Sequence, residues 1–309
     1  MNVYLTVDVE SYTGDFEREV FADGRGLEFI VEACRRHDAK ATFFVEALGA
    51  TQWGKEPLRQ ICDMLKAAGQ DTQLHLHPSV ARIDQFEDHD DVLSLRDRAT
   101  QEMLLRVGLE SLRECAGNPV TAFRAGDLAA NLDTLAAMQA VGLSISANRD
   151  LDQKCSIRTQ LNDHFPAKNE LSQRDGITDV PVSALKSPLP FLDGRYRHFE
   201  ISAMGINEMC SGLKAMSRQG YQCAGILTHP GEFFRYHGDR CESIAKNRFR
   251  LESLLRFVAS RDDMQWSTVG AINEVSDVPA ASPPEIRGNL IFALVRVAEQ
   301  AFDRLWARI

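Results

Sequence analysis

Strand-like and helix-like patterns of apolar residues alternate along almost the whole chain. Residues 2–10 carry a strand pattern, 27–37 a helical one and 40–47 the next strand, in the order β, α, β. A helix over 57–69 ends at its glycine, 72–77 reads as a strand stopped by Pro78, and 91–117 supplies one long or broken helix. The order continues with a strand at 120–124, a helix at 132–142, strands at 143–148 and 177–182, a helix at 207–220 and a seventh strand at 223–228. A helix at 247–260 and a last strand near 264–269 complete the run. Repeated units of this type imply a parallel sheet, open or closed into a barrel. Residues 150–176 lack clear periodicity and read as an irregular excursion, and 187–200 as an extended loop or hairpin.

The sequence Ala280-Ala281-Ser282-Pro283-Pro284 reads as a linker (280–284) between a main domain, residues 1–279, and a helical tail, residues 285–309. In the tail, Leu290, Ile291, Leu294, Val295, Val297, Ala298, Phe302, Leu305, Trp306 and Ile309 form a broad apolar stripe. Arg287, Arg296, Arg304 and Arg308 fall elsewhere on the wheel. Such an amphipathic helix is expected to dock on the body or on a partner subunit. A membrane surface is the alternative, because length and amphipathicity do not separate these cases.

At 309 residues and 44% hydrophobic content the chain can fill the core of one large α/β domain. Its formal net charge of -9 argues against nucleic acid as a partner, since that would call for a basic surface. The first residues enter a strand pattern directly, without a basic start, a long apolar run or a small-residue cleavage site, so no ordinary secretory signal is read there. The seven cysteines form no close pair along the sequence, and their odd number suits a disulfide framework poorly. A cytoplasmic location is the expectation.

The most informative segment is Gln73-Leu74-His75-Leu76-His77-Pro78. Alternation along a strand puts both imidazoles on one face, opposite Leu74 and Leu76, and in a parallel sheet neither face meets bulk water. Two imidazoles there need partners, and together they suit a metal ion. A third, acidic ligand is therefore expected. Reactive groups in parallel α/β folds collect where strands end. The first strand closes with Asp8-Val9-Glu10, whose carboxylates share a face; the fourth ends in Phe123-Arg124-Ala125-Gly126 and the seventh in Leu227-Thr228-His229-Pro230. One carboxylate with two imidazoles suits zinc or a similar divalent ion with open positions for water. The spare carboxylate can take a proton from that water, Arg124 can hold it ionised, and His229 can protonate a departing group. His37, His89, His164, His198 and His237 lack a comparable setting.

In order and spacing these segments resemble the polysaccharide deacetylase family, also called the NodB-homology or carbohydrate esterase 4 group. Thr6-Val7-Asp8-Val9-Glu10 is similar to its first motif and Ala41-Thr42-Phe43-Phe44-Val45 to its second strand. His75-Leu76-His77-Pro78 is similar to its metal-binding histidines, Phe123-Arg124-Ala125-Gly126 to its arginine motif and Leu227-Thr228-His229-Pro230 to its last histidine motif. The resemblance covers residues 1 to about 275. It implies an α/β fold, a distorted or incomplete parallel (β/α)7-type barrel, here followed by the amphipathic tail helix. It further implies metal-assisted removal of acetyl groups, with Zn2+ the expected ion. By position Asp8 is the base, Arg124 its tether and His229 the acid, with Glu10, His75 and His77 as metal ligands.

Two departures stand out. The family's first motif has two adjacent aspartates, so Glu10 and Asp8 remain interchangeable as the ligand. Its histidines are usually separated by three residues, whereas one residue separates them here, as in a less characterised branch found with bacterial surface-polysaccharide genes. Asp179, in Asp179-Val180-Pro181-Val182, is the expected orienting group for His229. The expected substrate is an N-acetylated sugar or surface-polysaccharide precursor. The alternatives are hydrolysis of a non-sugar amide or cyclic ureide, and a non-catalytic carbohydrate-binding relative.

Overall fold

The structure is a computed structural model that describes residues 1–84, 90–151, 161–165, 167–193, 195–272 and 285–306. In chain order its elements are β1 (Asn2–Val9), α1 (Leu27–Arg36), β2 (Thr42–Glu46), α2 (Ala50–Trp53), α3 (Glu56–Ala67), β3 (Asp71–Leu76), α4 (Arg98–Arg113), β4 (Ala122–Ala125), α5 (Leu132–Ala140) and β5 (Ile145–Ser146). There follow β6 (Ser172–Arg174), β7 (Ile177–Asp179), β8 (Ala184–Lys186), α6 (Pro190–Asp193), β9 (Tyr196–His198), α7 (Ile206–Arg218) and β10 (Cys223–Thr228). Last come β11 (Phe234–His237), β12 (Arg240–Ser243), α8 (Ala245–Ala259), β13 (Gln265–Ser267) and α9 (Leu290–Trp306).

The main sheet runs β10-β1-β2-β3-β4-β5-β7-β6, with β13 beside the first half of β1 and β2 beside its second half. All pairings are parallel except that of β6 with β7. The sheet curls without closing. Single contacts fill the gap between its ends: Ser183 donates its amide to Gly225 O, Leu227 to Phe199 O and Ile201 to Leu227 O. The architecture is thus an incomplete parallel (β/α) barrel, as the alternating pattern and the resemblance imply.

Strand alternation sorts the side chains into two environments. Val3, Leu5, Val7, Phe43, Val45, Leu74, Leu76 and Phe123 belong to the large core shared with the helices. Their neighbours point into the curl, where Tyr4, Phe44 and Ala122 form a second, smaller apolar cluster. The polar residues of this inner face are buried too, which requires that they bond one another. Asp71 accepts from Thr42 Oγ1 (2.8 Å), Gln73 Nε2 (2.7 Å) and the Gly270 amide (2.9 Å), and these bonds plug the amino-terminal end of the curl. The opposite, carboxyl-terminal end is left to chemistry.

Helix ends follow local signals. Pro57 opens α3 and Gly69 follows it at φ 61°; Asp97 caps α4 by accepting the Thr100 amide; Asn131 and Thr134 form a reciprocal capping box on α5. The stretch 91–117 is broken, with one 3-10 turn at Leu93–Leu95 before α4. Among the described residues of the expected irregular excursion, β6 pairs with β7, and among those of the expected loop or hairpin, β9 pairs with β8. The β11–β12 hairpin is an addition to the sequence reading. The expected linker at 280–284 lies outside the described residues. No helix among the described residues is long and apolar enough to cross a membrane.

Helix α9 turns part of its apolar stripe away from the body. Leu290, Ile291, Leu294 and Val295 are all about half or more exposed, whereas Arg296 is buried and ion-paired with buried Glu208 of α7 at 2.9 Å.

Candidate active site

At the carboxyl-terminal ends of β1 and β3, Glu10 meets both histidines. Its Oε2 lies 2.7 Å from His77 Nε2 and 3.0 Å from His75 Nε2, and the two nitrogens are 3.1 Å apart. Among the described residues this is the one carboxylate, thiolate or imidazole group of three close enough to share a metal ion. The backs of both rings are held. His75 Nδ1 bonds the Arg124 carbonyl and His77 Nδ1 bonds Asp91 Oδ2, each at 2.9 Å, the outer contacts that fix a metal-binding imidazole. The His77 ring also packs onto Gly126, where a Cβ would come within 2.4 Å of it, so the glycine of Phe123-Arg124-Ala125-Gly126 has a steric reason. Tyr12 donates its hydroxyl to the other oxygen of Glu10 at 2.9 Å.

The electrostatics of this cluster call for a cation. Burial opposes charge on Glu10, yet bonds from His75 and His77 hold its carboxyl well below the usual range. Burial likewise opposes charge on His77, but Asp91 and Glu10 raise its pKa to about 10. A carboxylate that stays ionised among nitrogens this close requires protons or a metal between them, and the donor set of two imidazoles and one carboxylate fits a hydrolytic divalent ion.

Asp8 points to the other side of the same cleft. Its Oδ1 accepts from Arg124 Nη1 at 2.7 Å, and its Oδ2 lies 3.8 Å from His229 Nε2. Arg124, 1% exposed, is fixed by bonds to Thr6 Oγ1 and Ala147 O and by the Phe44 ring 4.4 Å away. The structure therefore separates the two carboxylates of Asp8-Val9-Glu10: Glu10 joins the histidines and Asp8 joins Arg124 and His229.

His229 follows β10 and is held from behind by Glu232, whose Oε1 is 2.9 Å from Nδ1. Burial opposes its charge, but Glu232, Asp8 and Glu10 outweigh that and raise its pKa to about 9. Asp179 does not orient His229. It is fully buried and pairs with Arg149 Nε at 2.6 Å, and its place is taken by Glu232, three residues along the chain. Asp91 and Glu232 thus escaped the sequence reading. The spacing His229-x-x-Glu232 just after a strand was a usable signal for the second.

His198 also belongs here, against expectation. With Asp150 and Glu200 it lines a 170 Å³ cleft shared with Asp8, Glu10, His75, His77 and His229. Its Nε2 lies 2.9 Å from Glu200 and its Nδ1 3.4 Å from Asp150. Burial again opposes its charge, and these two acids raise its pKa to about 10. His37, His164 and His237 lie outside the cleft, and His89 outside the described residues.

The chain matches no protein-family model and no curated protein. Among solved structures it is similar to a protein from Mycobacterium smegmatis provisionally described as a polysaccharide deacetylase. They share 20% identity over 88% of each chain, at a TM-score of 0.57. It is also similar to a 4-alpha-glucanotransferase from Thermococcus litoralis, at 12% identity over 94% of this chain and 42% of that one, TM-score 0.55. A family 4 carbohydrate esterase from Streptomyces lividans aligns over 93% of this chain and 97% of its own, at 11% identity and TM-score 0.45. The first two likenesses bear on the fold alone, the expected incomplete parallel (β/α) barrel. Because the first two neighbours carry different descriptions, the chemistry has to be argued from the site.

Proposed function

We propose that this chain is a metal-dependent hydrolase that removes the acetyl group from an N-acetylated sugar or surface-polysaccharide precursor. The observation that carries this reading is the division of one cleft. Glu10, His75 and His77 cluster within 3.1 Å on one side, and an Asp8–His229 pair lies 3.8 Å apart on the other. Bound by the first three residues, a divalent ion such as Zn2+ would polarise the acetamide carbonyl and acidify a water.

The remaining steps fall to side chains. Asp8, ion-paired with Arg124 at 2.7 Å, accepts a proton from the attacking water. His229, with its pKa raised to about 9, is protonated at neutral pH and donates from Nε2 to the sugar nitrogen as the C–N bond breaks. Glu232 holds Nδ1 so that Nε2 faces the cleft. A base on one side of the cleft and a protonated acid beside it are what amide hydrolysis requires.

The test is elemental mass spectrometry of protein purified without added metal, alongside acetate release from N-acetylated sugars. About one divalent ion per chain is expected, lost in the His75→Ala/His77→Ala variant together with acetate release. No metal after reconstitution and no acetate would leave the carbohydrate-binding alternative. Ammonia released in place of acetate would instead favour the ureide alternative.

A further inference from the structure

Helices α3 and α4 both pack on β3, the strand that leads to the two imidazoles. The fit of α4 is close, since a Cβ on Gly108 would come within 2.5 Å of Leu76 Cδ2 and 3.4 Å of Leu74 Cδ1. Two contacts tie the helices to each other. Lys55, just before α3, pairs with Glu114, just after α4, at 2.6 Å. The sulfurs of Cys62 on α3 and Cys115 in the turn after α4, both free thiols, come within 2.8 Å.

Other cysteines are differently placed. Cys223 meets the Asn169 carbonyl and Glu170 Oε2, and Cys241 meets the Ala22 carbonyl. The paired thiols also differ from each other. Cys62 is buried with Leu58, Ile61 and Leu65 on the inner face of α3, where no dissolved reagent reaches it. Cys115 is partly exposed, its sulfur 3.4 Å from the Leu112 carbonyl, so a reagent arriving from solvent meets it first.

The electrostatics agree with that order. The contact with Cys62 favours a Cys115 thiolate, and with Arg59 it outweighs burial and Asp63 to hold this thiol below its ordinary pKa. The same contact, with burial behind it, pushes the Cys62 thiol up. A reachable thiol with more thiolate character beside a buried one is the arrangement of an attacking and a resolving cysteine.

We propose that Cys115 and Cys62 form a peroxide-reactive dithiol site, in which Cys115 reacts first and Cys62 then closes an internal disulfide that staples α3 to α4 beside β3. The Cys115 thiolate attacks one peroxide oxygen, the O–O bond breaks, and the other oxygen leaves as hydroxide, which becomes water with the proton the thiol had lost. The Cys62 sulfur then attacks the resulting sulfenic acid, and its hydroxyl leaves as water with the Cys62 proton. Two thiols are oxidised by two electrons and one peroxide is reduced to two waters. Neither cysteine lines the cleft, so the reaction is independent of acetyl chemistry.

The test starts from the full chain, reduced and freed of reductant, treated with equimolar hydrogen peroxide. Alkylation of the remaining thiols and peptide mass spectrometry then locate the change. Two of the seven thiols should be lost to one cross-linked pair of peptides, carrying Cys62 and Cys115 and separated again by dithiothreitol, while buried Cys34 and Cys223 stay reduced. Cys115→Ser should abolish the cross-link and leave Cys62 unmodified, and Cys62→Ser should leave Cys115 as a sulfenic acid that dimedone traps. Because the bond joins positions 53 residues apart, oxidation should raise the melting temperature by about 5 °C or more. Oxidation spread over the cysteines without the cross-link, Cys62 bonded elsewhere, oxidation of Cys62 in Cys115→Ser, or no thiol lost to excess peroxide would overturn the site. So would a cross-link that leaves the melting temperature unchanged or lower, since the folded helices would then not hold the two sulfurs together.

Discussion

At the scale of single residues, the site depends on carboxylates that fix imidazoles from behind. Glu232 holds His229 and Asp91 holds His77, both from outside the strands. If His229 is the acid, turnover requires its protonated form and must fall as pH rises through about 9. Glu232→Gln removes a charge that favours that form. The alkaline limb of the pH–kcat profile should therefore move down toward the ordinary histidine value of about 6.5, with kcat at low pH largely kept. An unmoved limb would mean that His229 is not the group being read. His229→Ala should lower kcat by about a hundredfold or more while metal content stays the same. Asp91→Asn should act on the other half of the cleft: metal affinity, measured by competition with a chelator, should weaken about 10- to 100-fold, as for other outer partners of metal-binding histidines. These residues also mark the limit of sequence reading. His75 and His77 were legible because a strand's period of two fixes their common face. Asp91 and Glu232 sit in loop and turn backbone, where no period says which way a side chain points.

At the scale of elements, what was legible followed the length of the periodic run. β1, β2, β3 and β10, each buried on both faces by the helices and the closing curl, carry enough apolar residues to announce themselves. β6 and β8 have three residues each, too few for any period, and were not read, whereas the equally short β5 and β7 were read because they lie within longer apolar runs at 143–148 and 177–182. The β11–β12 hairpin was silent for another reason. Phe-Arg-Tyr-His and Arg-Cys-Glu-Ser put only Phe234 and Tyr236 on one face, too short an alternation to announce a strand. Cysteine spacing was silent in the same way: Cys62 on α3 and Cys115 just after α4 are 53 residues apart, yet their sulfurs, both free, come within 2.8 Å. The same dependence on neighbours yields a prediction for Arg124. Truncation to Met leaves the buried Asp8 carboxylate without its cation, so Arg124→Met should cost about 3–5 kcal/mol in a urea titration as well as abolishing turnover. A fully stable but inactive variant would mean that Arg124 serves the chemistry alone.

At the scale of the whole molecule, the tail inverts the rule used to read it. Its apolar stripe suggested the buried face, but a helix docks through whatever its partner surface offers, and α7 offers Glu208, 2% exposed, beneath α9. Arg296 answers it, Ala293 packs beside it, and Leu290, Ile291, Leu294 and Val295 are left outward. A second tie, Arg250 to Glu299 at 2.8 Å, ends on a half-exposed carboxylate and should matter little, within about 1 kcal/mol for Glu299→Gln. The Arg296–Glu208 pair should behave differently, because removing one partner strands a buried charge. Arg296→Met is expected to lower unfolding free energy by about 3–5 kcal/mol. Replacing both members, Glu208→Leu with Arg296→Met, should restore most of that loss, since no charge is then left buried and the stems of the new side chains can pack. Urea titrations of the two single variants and the double variant measure the coupling directly. A single variant as stable as the unaltered chain would mean that α9 leaves the body in solution and that Glu208 meets water there. A double variant no better than the singles would mean that the pair sets the position of the helix, and that apolar contact between α7 and α9 cannot replace it.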